Sequence, residues 1–252
     1  MIAILSDVHA NLEALTAVYR DLQQRGIKRT FFLGDIVGYG PNPAEVLEFI
    51  KHFEFCLLGN HDEAVLQGPA KNFNAMAAKA ALWTRKQICP EELTAGFFRP
   101  ALLQQRREQW DYLMKLKPMR TLGDILFVHD TPARPGSWKY VRTQEDAAAG
   151  FAAHPAMRAF FFGHSHQPGV WTPERFLGSE PGRKFDFSER VMVNVGSVGQ
   201  PRDKDPRACY VILEPDGFRF YRVPYEFQKT QEKILAIPEL DPILAHRLGI
   251  GQ

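Results

Sequence analysis

Ile2-Ala3-Ile4-Leu5 runs directly into Ser6-Asp7-Val8-His9-Ala10-Asn11, an apolar segment of strand length that breaks abruptly into polar residues. A short apolar run without polar alternation reads as a parallel strand buried on both faces. Leu12, Leu15, Val18, Tyr19 and Leu22 follow at helical spacing, and Gly26 closes that helix. The pattern then repeats. Thr30 to Leu33 is a second strand; Asn42 caps a helix with Pro43 in its first turn; Val46, Leu47, Phe49 and Ile50 form its apolar face; Phe55 to Leu58 is a third strand. The order β-α-β-α-β predicts a parallel sheet with right-handed crossovers.

Working outward, the pattern from Glu63 to about Pro118 turns helical. Phe73, Met76, Ala77, Ala80 and Trp83 share one spacing, and Leu102, Leu103, Arg106, Trp110, Leu113 and Met114 another. This segment reads as a helical insertion within a single domain covering 1–252. Met119 to Leu122 and Ile125 to Val128 flank Gly123-Asp124 as a hairpin. Thr143 to Gly150 is a short helix. Ala159 to Phe162, Arg190 to Val193, Cys209 to Leu213 and Phe218 to Val223 are strands, the last two joined at Pro215-Asp216-Gly217. Gln228 to Leu235 is a further helix, and the remaining tail carries no decisive pattern.

Bulk properties narrow the function classes. At 252 residues and 45% hydrophobic, the chain can bury a sizeable core. Its net charge of +2 gives no signal for a dedicated nucleic-acid binder. Cys56, Cys89 and Cys209 lie far apart without a CxxC pair, which fits a reducing cytoplasm better than a disulfide framework or structural zinc. The N-terminus lacks a basic start and meets Asp7 almost at once, unlike a signal peptide, and no apolar run approaches membrane-spanning length. Composition leaves the oligomeric state open.

Five loops carry the chemistry, each directly after an apolar strand. They are Asp7-Val8-His9, Gly34-Asp35-Ile36-Val37-Gly38, Gly59-Asn60-His61-Asp62, His129-Asp130 and Gly163-His164-Ser165-His166. Ligands bind at the carboxyl ends of strands in open parallel sheets. Taken singly, each piece has a structural explanation: Asp-x-His as a turn, Gly-Asp as a cap, a histidine buried in a core. Their conjunction is what points to a metal site. Imidazole and carboxylate without thiolate select manganese, iron, zinc, cobalt or nickel, and calcium would call for more carboxylates. There are donors for two ions if one carboxylate bridges. Two such ions, roughly 3.5–4 Å apart, clamp the attacking and leaving oxygens of an in-line displacement.

In order and spacing these motifs resemble those of the calcineurin-like metallophosphoesterase superfamily, from Asp7 to His166. Asn194-Val195-Gly196-Ser197-Val198-Gly199 resembles the segment that follows in its bacterial YfcE-like branch. The resemblance implies an α/β fold, a four-layer αββα sandwich with two mixed β-sheets. It implies a phosphate mono- or diester substrate and two divalent transition-metal ions, manganese foremost. Asp7, His9 and His166 would hold one ion, Asn60, His129 and His164 the other, with Asp35 bridging. His61 would contact the phosphate or protonate the leaving oxygen, and Asp62 would hold the His61 ring or merely cap the loop. Asn11 and Ser197, with Asn60 and His61, are the candidate substrate contacts, although Asn11 reads equally as a helix cap. Asn194, Arg202 and Arg207 are further groups near that segment. Asp130-Thr131-Pro132 departs from the glycine and serine of many relatives. Gly38-Tyr39-Gly40-Pro41 lacks the Asp-Arg of eukaryotic protein Ser/Thr phosphatases, which weakens that alternative. A scaffold that kept only the fold ranks last, because no ligand position is lost.

Overall fold

The computed structural model describes residues 1–71, 73–91 and 100–252. Its first sheet has the strand order β3-β2-β1-β11-β12-β9, formed by Phe55–Cys56, Arg29–Phe32, Ile2–Leu5, Ala208–Glu214, Gly217–Val223 and Lys184–Asp186. Its second has the order β4-β5-β6-β10-β7-β8, formed by Met119–Leu122, Ile125–Val128, Ala159–Phe162, Val191–Asn194, Gly169–Trp171 and Phe176–Gly178. Both are mixed. β1, β2 and β3 are parallel as expected, while β11 joins β1 antiparallel, with Ile4 opposite Val211. In the second sheet β5, β6 and β10 are parallel, and the hairpin across Gly123-Asp124 adds β4.

The strand period of two decides which residue faces which layer. Ile4, Phe31, Phe127, Phe161, Val193, Val211 and Phe220 turn inward and form the apolar layer between the sheets. Their neighbours Ala3, Leu5, Phe32, Tyr210 and Ile212 face outward, against α1 (Leu12–Gln24) and α2 (Pro43–Ile50). On the other side Leu126, Val128, Phe160, Phe162 and Met192 meet Ala147 and Phe151 of α6 (Gln144–Ala153). These are the four layers, and they explain why the central strands are apolar at nearly every position, with polar exceptions such as Arg29, Asn194 and Glu214 falling at strand ends: both faces are buried.

The segment expected as a helical insertion contains α3 (Asn60–Gln67), α4 (Ala75–Ile88) and α5 (Pro100–Lys115). The expectation also covers residues 72 and 92–99, which lie outside the described residues. Ala64, Val65, Ala81, Ile88 and Leu113 join the outer apolar cluster of the first sheet. The helix expected at Gln228 to Leu235 is α7 (Phe227–Leu235); the tail beyond it, undecided in sequence, forms α8 (Ile243–His246), and Ile234, Leu244 and Leu248 pack with Tyr39, Ala77 and Trp83.

Three differences from expectation have simple causes. β3 stops at Cys56: the Leu57 N–H still donates to the Phe32 carbonyl of β2, but Leu57 also bridges to Lys117 and the Leu58 N–H turns to the Lys117 carbonyl. Asn42 stands at the start of α2 without capping it; its amide donates to Glu45 and its oxygen accepts from Lys233. The short strands β7, β8 and β9 carry too few residues to show a period in sequence. None of the described helices is long and apolar enough to cross a membrane.

Candidate metal centre

The five polar loops converge where the two sheets meet at their carboxyl edges. The residues there hold an unusual backbone: Asp7, His9, Asp35, His164 and His166 have φ of 53, 48, 57, 67 and 60°. A non-glycine residue in the left-handed region costs about 1–3 kcal/mol, and such strain gathers at functional sites. Cross-loop hydrogen bonds offset it. Asp7 and His9 donate to the carbonyls of Gly34 and Asp35, both at 3.0 Å. The second sheet is tied in by the His164 N–H, which reaches Asp7 Oδ2 at 3.0 Å. Gly163 permits this approach, since a Cβ there would lie 2.4 Å from the same oxygen.

Two overlapping donor groups result. Asp7, His9, Asp35 and His166 form one, and Asp35, His129 and His164 the other, with the donor atoms of each within 4.8 Å of one another. Asp35 belongs to both: its Oδ2 lies 3.5 Å from His9 Nε2 and 3.5 Å from His129 Nε2. Asn60 Oδ1 stands 3.2 Å from His129 Nε2, beside the second group. The other Asp35 oxygen accepts the His61 backbone N–H at 2.8 Å, which fixes the carboxylate plane.

Backbone carbonyls set the imidazole tautomers. A carbonyl only accepts, so a ring nitrogen facing one must carry the proton. Nδ1 of His9, His129 and His166 faces the carbonyls of Val37, Leu33 and Gln200 at 3.2, 2.8 and 2.6 Å. Nε2 of each is thereby left with its lone pair, pointing to the centre. His164 is reversed: Nε2 donates to the Trp138 carbonyl at 2.9 Å, leaving Nδ1 as the donor atom. Such outer contacts orient imidazoles for metals.

The charges also call for a cation. Asp7 Oδ1 is buried without a hydrogen-bond partner, 3.3 Å from His166 Nε2. His9 and His166 face each other Nε2 to Nε2 at 3.1 Å, an arrangement with no attraction unless a positive centre lies between lone pairs. Burial works against charge on Asp35, yet the surrounding histidines hold its carboxyl well below the usual range. Burial likewise opposes charge on His129, but Asp35 by itself draws a proton onto its Nε2 and raises that imidazole to about 10; a metal ion would take the place of that proton and restore the lone pair. Buried oxygen and imidazole donors carrying uncompensated negative charge fit divalent transition metals.

His61 lies apart from the donor groups. Its ring packs against His9, Tyr39 and Phe73 at centroid distances of 4.8, 4.3 and 5.1 Å. Nδ1 is buried without a partner against Gly38, where φ is +87° and a Cβ would meet that nitrogen at 2.6 Å. Burial pushes the His61 imidazole down to about 4.

Three residues are given to the backbone, Asp62 and Asn11 in the capping roles that were their alternatives. Asp62 does not hold the His61 ring. Its Oδ2 accepts the backbone N–H of Gly59 and Asp35, each at 3.0 Å, and its Oδ1 those of Ile36 and Val37 at 3.0 and 3.1 Å. It ties the Asp35 loop to the start of α3. Asn11 has no free group for a substrate: Oδ1 accepts from Ala14 N and Thr230 Oγ1, and Nδ2 donates to the Gly199 carbonyl and the Tyr225 hydroxyl. Ser197 donates to the Asp7 carbonyl and accepts from Gln200 N, both at 2.8 Å, so it too joins loops. Asn194 is likewise engaged, with Gly163, Ser165 and Gly196. Of the two arginines, Arg207 pairs with Asp205 away from the centre, whereas Arg202 sits on Gln200 Oε1 at 2.7 Å and over the Tyr39 ring.

Sequence reading missed the part played by Asp130. Its carboxylate accepts from Gly136 N and Trp138 N at 3.0 and 2.5 Å, which shapes the loop whose Trp138 carbonyl orients His164. The available signal was a carboxylate directly after His129, followed by the turn residues Pro135-Gly136.

Comparison with known proteins agrees with this geometry. Residues 1–217 match the model of the calcineurin-like phosphoesterase superfamily domain. An uncharacterized protein of Methanocaldococcus jannaschii is 37% identical over 261 aligned positions, which span 100% of this chain and 98% of that protein. The crystal structure of a metallophosphoesterase from Sphaerobacter thermophilus is 35% identical, with a TM-score of 0.83 over 100% of this chain and 98% of that one. A hypothetical protein from Pyrococcus horikoshii shares the fold at 18% identity, with a TM-score of 0.74 over 100% of this chain and 99% of that one.

Proposed function

The chain belongs to the calcineurin-like phosphoesterase superfamily, and from that premise we propose that it hydrolyses phosphate mono- or diesters at a centre of two divalent cations, manganese foremost. The observation that carries the reading is the position of Asp35 Oδ2, 3.5 Å from the donor nitrogens of two different histidine groups. One ion would be held by Asp7, His9, Asp35 and His166, the other by Asp35, Asn60, His129 and His164. Bound there, the ions supply Lewis acidity and a water acidified from 15.7 to roughly 7.

The chain's own residues do the rest. Asp35 keeps the two groups in register because His61 N–H and the Asp62-anchored loop fix it. His61, neutral in its buried setting, presents its Nε2 side to the ester. An anionic phosphate beside it raises its affinity for a proton, so that it can serve the leaving oxygen. The cleft beside the centre is walled by Tyr39, Phe73 and Trp138, which suits a small ester better than the surface of a folded protein.

The test is metal analysis of the purified protein together with a panel of chromogenic phosphate mono- and diesters. Two equivalents of transition metal and metal-dependent turnover are expected. A folded protein that takes up no transition metal, or turns over no ester when loaded, refutes the reading.

A further inference from the structure

The cleft leading to the metal centre is much larger than a phosphoryl group requires. It encloses about 720 Å³ and runs from Asn60, His61 and His164 outward past Phe73, Trp138 and Tyr140. Volumes of roughly 300–1,000 Å³ are typical of sites that enclose a whole small organic molecule.

Of its aromatic walls, Phe73 packs against two of the apolar clusters, whereas Trp138 and Tyr140 are held by contacts outside them. Trp138 has a φ of 59°, a conformation that bulky residues avoid. Asp130 fixes its backbone N–H, and Glu63 Oε2 accepts its indole N–H at 2.8 Å. A tryptophan pinned at both ends yet only partly covered presents surface to the cleft. Tyr140, 40% exposed, stacks on His164 at 4.3 Å with 12° between the planes and carries the Arg142 guanidinium at 4.1 Å over its ring, so it bounds the cleft by its edge and leaves the open ring faces to Trp138 and Phe73. Phe73 meets His61 edge to face at 5.1 Å. The rings therefore stand beside one residue of the second donor group and beside the candidate proton donor, where the organic part of an ester has to lie.

Resting on the reading of the site given above, we propose that the ester's organic group is a planar ring system of nucleoside size, received between these aromatic walls. Aromatic side chains stack on any base, because every base offers a π face. Gln67, Lys71 and Asn74 line the same cleft and bring amide and ammonium groups suited to the heteroatoms of such a ring. These polar groups disfavour a lipid acyl chain, and a glycerol ester leaves the rings without a partner.

The experiment uses the manganese-loaded protein. Adenosine 5′-phosphate and glycerol 3-phosphate are compared, each as the monoester and as the methyl diester. Hydrolysis of p-nitrophenyl phosphate shows only that the metal centre is active; because its own ring can stack, it plays no part in ranking the organic group. The expected result is a kcat/KM at least about tenfold higher for the adenosine ester, with competitive inhibition by adenosine and none by ribose. In Trp138→Leu and Phe73→Leu that preference shrinks toward unity. Equal kcat/KM for the two series, no inhibition by adenosine, or a preference unchanged in both variants overturns the proposal while p-nitrophenyl phosphate is still hydrolysed. No turnover of any ester removes the underlying reading of the site as well.

Discussion

Replacing Asp62 by Asn separates two roles for a buried carboxylate one residue after His61. The side chain is fully buried and accepts four backbone N–H groups, two on each oxygen. An amide of the same shape keeps one acceptor oxygen. Its NH2 group then faces two N–H donors, from Gly59 and Asp35 or from Ile36 and Val37. Two charge-assisted hydrogen bonds are lost, at about 1.5–3 kcal/mol each, for a total of about 3–6 kcal/mol. The lower end applies, because burial and the facing Asp35 already raise the Asp62 carboxyl to about 7. A loss of about 3 kcal/mol is large against a typical stability of about 5–15 kcal/mol. It lowers Tm by roughly 6–12 °C in a chain of this size. The loosened loop also carries Asp35 and the Val37 carbonyl that orients His9, so metal uptake weakens with stability. The assay is urea unfolding with and without manganese, alongside metal analysis. An Asp62→Asn variant with unchanged unfolding and metal content, but a lowered kcat, would show that the carboxylate acts through the His61 ring and refute the reasoning.

The other predictions concern the same centre. Asp35→Asn removes the charge shared by the two donor groups; metal analysis should find fewer than two ions, and turnover should fall about 1,000-fold or more, whereas normal loading contradicts the bridging role. His61→Ala should slow turnover about 100-fold or more with metal content unchanged, and full activity would remove His61 from the reaction. Gly38→Ala places a Cβ 2.6 Å from His61 Nδ1 at a φ of +87°. It should cost about 1 kcal/mol or more in unfolding experiments and lower kcat by displacing the ring, while metal content stays that of the unaltered protein.

The central fold was legible in sequence because its strands are buried on both faces. Phe160-Phe161-Phe162 reads as strand whichever face is inward, and so does Ile2 to Leu5. The peripheral strands β7, β8 and β9 were not legible: three residues carry no period, and pairing makes them strands, β7 and β9 with the distant β10 and β12 and β8 with its neighbour β7. The tail was undecided because its apolar residues pack on α4, a neighbour no local pattern reveals.

The donor set could be read for a related reason. Each of its histidines and carboxylates follows a strand, and the ends of adjacent strands are close in space whatever the loops do. What the neighbouring polar residues do could not be read, because hydrogen-bonding groups have many partners to choose from. Asn11, Asp62 and Ser197 could each serve a ligand or a backbone, and folding gave all three to the backbone. Strand order and residue type thus settled which side chains reach the centre. Tertiary contacts settled which nitrogen of each imidazole faces it, through carbonyls of Leu33, Val37, Trp138 and Gln200 that carry no mark in the sequence. Every residue has a carbonyl, and only its position in space makes one of them an orienting group.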